Sequence, residues 1–115
     1  MRPSKEIIGA STSLLVLAAI ARQPSYGYQL VKQINASADG LFSWSEGTIY
    51  PVLHKLEKDE LIRSQWRQAN GQRQRKYYHI TAKGRLALAR DAEQWNDFTA
   101  LIGRLTGARH ATDLA

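Results

Sequence analysis

The feature that most constrains this chain is a pair of alternating runs on either side of Asn70-Gly71. In the first run Ile62, Ser64 and Trp66 point one way and Arg63, Gln65 and Arg67 the other. In the second, Tyr78 and Ile80 share one side and Tyr77 and His79 the other. A period of two is that of a strand, and Asn-Gly supplies residues that tolerate positive φ in a hairpin turn. The tip is longer than two residues, so Gln72 to Arg75 are expected to project. Trp66 and Tyr78, on one strand face, read as core. Tyr77 reads either as a packed tyrosine or as a group that stacks or meets a phosphate.

Helical patterns flank the hairpin. Ser4 can cap a first helix, and Glu6 suits its positive N-terminal end. Ile7, Leu14, Leu15, Ala18 and Ile20 follow, and apolar residues surround the helix almost completely from Leu14 to Ala21, the pattern of a mostly buried helix. It should end near Arg22, because Pro24 disfavours helical geometry in the residue before it. Ser25 is the candidate cap of a second helix with Gly27, Leu30, Val31 and Ile34 as its stripe, and the chain then reads as a loop from Asn35 to Gly40. Ser45 caps a third helix, from about Glu46 to Asp59, with Ile49, Leu53 and Leu56 on its buried face. Pro51 bends its first turns if the helix begins at Ser45 and is harmless if it begins nearer Thr48. Trp44 plugs the preceding loop onto the core. After the hairpin Thr81 caps a last helix from Ala82 to roughly Leu105.

Composition narrows the classes. The chain has 115 residues, 43% of them hydrophobic and 23% charged, as expected of a single globular domain. There is no cysteine, which removes disulfides and zinc–thiolate sites and fits a reducing cytoplasm. The longest apolar run, Leu14 to Ala21, is too short to span a bilayer, and no cleavage pattern follows it, so the chain reads as soluble and cytoplasmic, with no membrane partner. Net charge is +6, and its distribution says more than its size. From Leu61 to Arg90 there is no Asp or Glu, while Arg63, Arg67, Arg73, Arg75, Lys76, Lys83, Arg85 and Arg90 all fall there. Local positive charge is what a phosphate-facing surface needs; a solvated basic face is the plainer alternative.

The order helix, helix, helix, strand, basic turn, strand, long helix is the winged helix-turn-helix arrangement: mainly α with a small β-hairpin, plus one long C-terminal helix. In this arrangement the third helix enters the major groove of double-stranded DNA and the hairpin tip reaches neighbouring phosphates or the minor groove. With Ile49, Leu53 and Leu56 turned inward, Ser45, Thr48, Tyr50, His54, Lys55 and Lys58 are the candidate DNA contacts on the third helix. Arg73, Arg75 and Lys76 are the candidates in the wing. For each the alternative is an ordinary exposed polar side chain. On the last helix Leu88, Ala92, Trp95, Phe98, Ile102 and Leu105 recur at spacings of three and four, which marks a homodimer seam. The expected division is residues 1–80 as the DNA-binding domain, 81–107 as the dimerisation helix and 108–115 as a frayed tail.

Several segments resemble those of the PadR family of transcriptional regulators. Pro24-Ser25-Tyr26-Gly27-Tyr28 is similar to the start of the family's second helix. Gly47-Thr48-Ile49-Tyr50-Pro51-Val52-Leu53-His54-Lys55-Leu56-Glu57 resembles its recognition helix, and Leu61-Ile62 its exit into the wing. Arg75-Lys76-Tyr77-Tyr78-His79-Ile80-Thr81-Ala82-Lys83-Gly84 resembles its return strand and the start of its last helix. The likeness runs from about Ser13 to Leu105, and one helix after the wing matches the smaller subgroup. It implies a dimer built from the last helix against the partner's first helix, and a repressor of promoters. It also implies, for some members, a response to phenolic acids or flat aromatic drugs, for which Trp95 and Phe98 at the seam are the candidate effector-binding pair. Two positions depart from the pattern. Glu60 stands where the family usually has Gly, at a cost on the order of 1 kcal/mol if the site is left-handed. Gln74 stands where Pro is frequent in the wing.

No catalytic constellation is visible. His54, His79 and His110 fall on different elements, and no Gly-rich loop follows a strand. No cofactor is expected, nor a metal, since ligand-type side chains are not clustered. The competing function class is a winged helix that binds protein instead of DNA; such modules usually lose the basic wing. RNA binding fits less well, because no stacking sheet is seen.

Overall fold

The computed structural model describes residues 4–68, 71 and 73–107. Its elements are α1 (Lys5–Arg22), β1 (Ser25–Tyr26), α2 (Gly27–Ala38), α3 (Glu46–Lys58), β2 (Ile62–Arg67), β3 (Arg75–Ile80) and α4 (Ala82–Thr106). The strands form one antiparallel sheet in the order β1-β3-β2. Ile62 lies opposite Ile80, Ser64 opposite Tyr78 and Trp66 opposite Lys76. Gly71 turns the hairpin at φ 76°. Asn70 and Gln72, expected in the same turn, lie outside the described residues, as does the tail 108–115.

One core joins the three helices to the sheet. Val16, Leu17 and Ile20 of α1 meet Leu30 and Ile34 of α2, Ile49, Leu53 and Leu56 of α3, and Ile62 and Tyr78 of the sheet, all buried. The predicted stripes of α2 and α3 are the buried ones. Trp44 is 5% exposed and plugs the loop before α3. Its indole N–H donates to Thr12 Oγ1 at 3.3 Å, and Asn35 holds its backbone through two hydrogen bonds of 2.7 and 2.9 Å. Those bonds satisfy groups that would otherwise be buried without partners, a loss of about 1–3 kcal/mol each.

Three expectations are corrected. Ser25 does not cap α2; it is buried in β1, where its hydroxyl donates to the Gln23 carbonyl, and Tyr26 holds the cap position without a side-chain bond. Strand pairing with Tyr78 overrides the local capping signal. The segment from Asn35 is not a loop: α2 runs on to Ala38, and the left-handed Asp39 (φ 50°) ends it. The polar composition there reflects a helix end that clamps Trp44. Trp66 is not core but 63% exposed, because the α3-covered part of the sheet face ends at Ser64. The stretch of α1 from Leu14 to Ala21 is mostly buried, as expected, with Leu15 alone exposed.

The position of Pro51 is resolved: α3 starts at Glu46, with the Ser45 hydroxyl accepting from the Thr48 N–H at 3.3 Å. Pro51 therefore lies inside the helix and leaves the Gly47 carbonyl without its i+4 donor.

The end of α3 is tied to the start of α4. The Leu61 N–H reaches the Leu56 carbonyl and the Glu60 N–H the Glu57 carbonyl, both at 3.0 Å, a Schellman closure with Glu60 at its left-handed position, φ 64°. Thr81 then donates its N–H to the Leu61 carbonyl at 3.0 Å and its hydroxyl to the Glu60 carbonyl at 2.7 Å, while Oγ1 accepts from Gly84 N–H at 2.9 Å. Gly84 fits only without a side chain, as a Cβ there would sit 2.0 Å from the Leu61 carbonyl oxygen. Two outcomes follow for thermal or urea unfolding. Glu60→Gly should stabilise the fold by about 1 kcal/mol by relieving the left-handed residue. Gly84→Ala should destabilise it by about 3 kcal/mol through overpacking; equal stability of either variant and the wild type contradicts this description of the junction.

Candidate nucleic-acid interface

The outward side of α3 carries the expected residues. Ser45, Thr48, Tyr50, His54, Lys55 and Lys58 are all exposed. The Ser45 and Thr48 hydroxyls lie 3.1 Å apart at the helix start, so together they offer donors beside the positive helix end. Glu46 occupies the same first turn and opposes a phosphate there, a charge that the reading of the basic residues left out. Lys55 Nζ pairs with Asp59 at 3.1 Å on the exposed surface. Such a pair contributes only a few tenths of a kcal/mol and gives way readily to a phosphate. Lys58 has no ion pair among the described residues.

Tyr50 lies where α3 meets the start of α2. A Cβ on Gly27 would come within 2.5 Å of its hydroxyl, so the absence of a side chain at Gly27 lets the phenol lie flat on the α2 backbone. Burial, and secondarily the Glu46 carboxylate, push the Tyr50 pKa above its ordinary value, which keeps the phenol protonated and able to donate.

The three wing cations are not equivalent. Arg73 is exposed. The Arg75 guanidinium lies over the Tyr26 ring, 4.3 Å from its centroid. Lys76 points to the other face, with Nζ 3.6 Å from Glu57 Oε1 of α3 and over the Tyr78 ring. Ser64 also donates to Glu57. The expected cluster therefore divides: Arg73 projects, Arg75 stacks on the outer face, and Lys76 ties the wing to α3. Three residues outside the candidate contact set, Arg67, Tyr77 and Tyr26, complete the outer face. Arg67 sits 4.8 Å from the Tyr77 centroid, and Tyr77 meets Tyr26 edge to face at 5.4 Å. Alternation placed Arg67 and Tyr77 together, but Tyr26 required the pairing of β1 with β3, which no local signal carries.

The last helix divides along its length. Gly84 and Ala87 are buried against the rest of the fold, and Leu88, Ala92 and Trp95 are half-buried. Beyond them Phe98 is 58% exposed, Ile102 43% and Leu105 79%. The molecule measures 54 × 29 × 26 Å, long for its size. A second apolar surface opens between α1 and α2, a groove of about 860 Å³ whose lining includes Ile7, Leu15, Ile34 and Leu41. Among the described residues no three ligand-type side chains converge on a metal position, and no helix is long and apolar enough to cross a membrane.

Three helices, a three-stranded sheet and a cationic hairpin beside an outward polar helix define a winged-helix DNA-binding protein. Residues 16–90 match the Transcriptional regulator PadR-like family, and the chain belongs to that family. It is 34% identical over 87 residues to the transcriptional regulator Rv3488 of Mycobacterium tuberculosis, covering 76% of this chain and 78% of that protein. A transcriptional regulator from Clostridium thermocellum superposes with TM-score 0.81 at 27% identity, covering 89% of this chain and 96% of the other. A PadR-like regulator from Bacillus cereus gives 0.79 at 29% identity, covering 89% and 97%. PadR of Bacillus subtilis, solved with operator DNA, shares the fold at TM-score 0.61 and 20% identity over 68% of this chain and 44% of its own. The chain is thus a DNA-binding transcriptional regulator and not an enzyme.

The Tyr78 phenol has a pKa raised by burial, then by Glu57 and Tyr50. A raised folded-state value contributes stability below the ordinary tyrosine value of about 10 and loses it as pH rises past that point. The melting temperature should fall above about pH 10, and Tyr78→Phe should make that fall shallower. Parallel pH profiles would remove Tyr78 from the account.

Proposed function

We propose that this regulator is a repressor that binds a palindromic promoter site as a symmetric homodimer. The observation that carries the reading is that Tyr50 of α3 and the wing residues Trp66, Arg73 and Arg75 border one cleft, so helix and wing address a single surface. In the dimer each α3 enters the major groove, with Ser45, Thr48, His54 and Lys55 near base edges and Lys58, Arg73 and Arg75 on phosphates. Lys76 acts through Glu57 and sets the wing's position. Two copies related by a two-fold axis would read two successive half-sites.

Residues 1–80 act as the reading head and residues 81–107 as the dimerisation arm. The exposed Phe98, Ile102 and Leu105 favour this, since a projecting helix with an apolar stripe is costly to leave in water. The groove beside Ile7 and Leu15 offers the complementary apolar surface for a partner's α4. A flat aromatic effector would lie between the two Trp95 side chains, beside Phe98, and would weaken DNA binding by favouring a different spacing of the heads.

A fluorescence-anisotropy titration with a duplex from the protein's own promoter region tests the DNA-binding surface. Binding should be tighter than to a scrambled duplex and should weaken steeply with salt. Lys58→Ala and Arg73→Ala should each lower the magnitude of the salt slope by about 1. No binding at low salt would favour the protein-interaction reading. The seam is tested by sedimentation: Phe98→Asp should lower the dimer population, and a fully dimeric variant would refute it.

A further inference from the structure

Trp66 stands out among the three tryptophans, two of which are at least half-buried. It is 63% exposed on a strand whose cross-strand neighbour at that point is Lys76, so no apolar side chain opposes it in the sheet. A tryptophan left in water on a hairpin contributes little to the fold. Its surroundings are specific, however. Trp66 borders an open cleft of about 490 Å³ together with Tyr28 of α2, Tyr50 of α3 and Arg73 of the wing. Tyr28 is 52% exposed, and its ring offers a second accessible aromatic surface. Arg75 and Lys76 also line the cleft, Lys76 with its Nζ 3.6 Å from Glu57, and among the described lining residues there is no carboxylate. The first turn of α2, which opens onto it, has neither an acidic residue nor a side-chain cap.

We infer that this cleft seats the sugar–phosphate backbone of one DNA strand, with Trp66 lying against a deoxyribose and Tyr28 and Tyr50 donating to the flanking phosphate oxygens. The inference rests on the DNA-binding reading above and extends it to two residues, Trp66 and Tyr28, outside the recognition helix and the wing tip. Charge selects the occupant: Arg73 and Arg75 outweigh the nearby carboxylates, since Glu57 is paired with Lys76, and aromatic walls beside two guanidinium groups suit a polyanion whose sugars are apolar and whose phosphates accept hydrogen bonds. Shape selects a strand over a small molecule, since the cleft is open and does not enclose its contents. Burial, and secondarily Glu46, raise the Tyr50 pKa, which favours the donating form of its phenol. Because every contact is to the backbone, the cleft supplies affinity and register without reading bases.

The test uses the full chain and two duplexes, one from its own promoter region and one scrambled. Trp66→Ala should weaken binding to both by the same factor, roughly tenfold, about 1.4 kcal/mol at 25 °C. Trp66→Phe should recover most of that loss. Melting curves of both variants should match the wild type, as expected for an exposed position. Acrylamide quenching gives an independent readout: the readily quenched emission that Trp66→Phe lacks should become protected when either duplex is bound. If Trp66→Ala binds both duplexes as the wild type does, or if Trp66 stays fully quenchable in the complex, the cleft does not hold a strand. In that event weakened binding by Lys58→Ala and Arg73→Ala would leave the DNA-binding surface standing. Failure of the wild type to bind either duplex would overturn both. A loss confined to the promoter duplex would also contradict the inference, since it would mean that Trp66 reads sequence.

Discussion

The arrangement depends on one joint, where the end of α3, the entry to β2 and the cap of α4 share a few backbone groups. Thr81 occupies its centre. Its hydroxyl accepts from Gly84 to start α4 and donates to the Glu60 carbonyl that closes α3, and its N–H reaches Leu61. Gly84 lets the helix approach until a methyl group would overlap the Leu61 carbonyl. The direction in which α4 leaves the fold is therefore coupled to the orientation of α3. If α4 is the dimer arm, the joint converts a change in the seam into a change in the spacing of two reading heads. A sub-ångström shift matters there because close-packed backbone deforms little.

The positive charge of the wing is distributed by its partners. Counting cations from Leu61 to Arg90 suggests a uniform basic face, but the side chains have different commitments. Lys76 is held by Glu57, Arg75 and Arg67 lie on tyrosine rings, and Arg73 extends. A guanidinium over a ring keeps its charge and its edge donors while losing rotational freedom. The outer strand face thus presents pre-oriented cations, whereas Lys55 and Lys58 on α3 stay adaptable. Glu57 links the two groups, since it sits on the recognition helix and holds both Ser64 and Lys76 of the wing.

Much of this was legible in the residues, for physical reasons that also explain the failures. Helices whose apolar stripes have helical period and whose caps are Ser4, Ser45 and Thr81 announce themselves, because cap and stripe are local. The left-handed site at Glu60 was visible as a non-glycine in a position that usually needs glycine, and it is left-handed at φ 64°. β1 was invisible, since two residues carry no period and pair only with a strand some fifty residues away. Alternation placed Trp66 on the correct face but could not say where the core beneath that face ends. Charge along the chain named Lys76 without revealing that Glu57 would hold it. The candidate contacts on α3 emerged from the sequence as a group because one helix face exposes them together.

The central claim is that two such heads, each a helix and wing fixed by the Thr81 joint, act on DNA as a symmetric pair. Hydroxyl-radical footprinting on the protein's own promoter region tests this most directly. The account predicts two protected half-sites related by a two-fold axis, their centres about one helical turn, or a whole number of turns, apart on the same face of the duplex. A single unsymmetrical protected patch at saturating protein would contradict it.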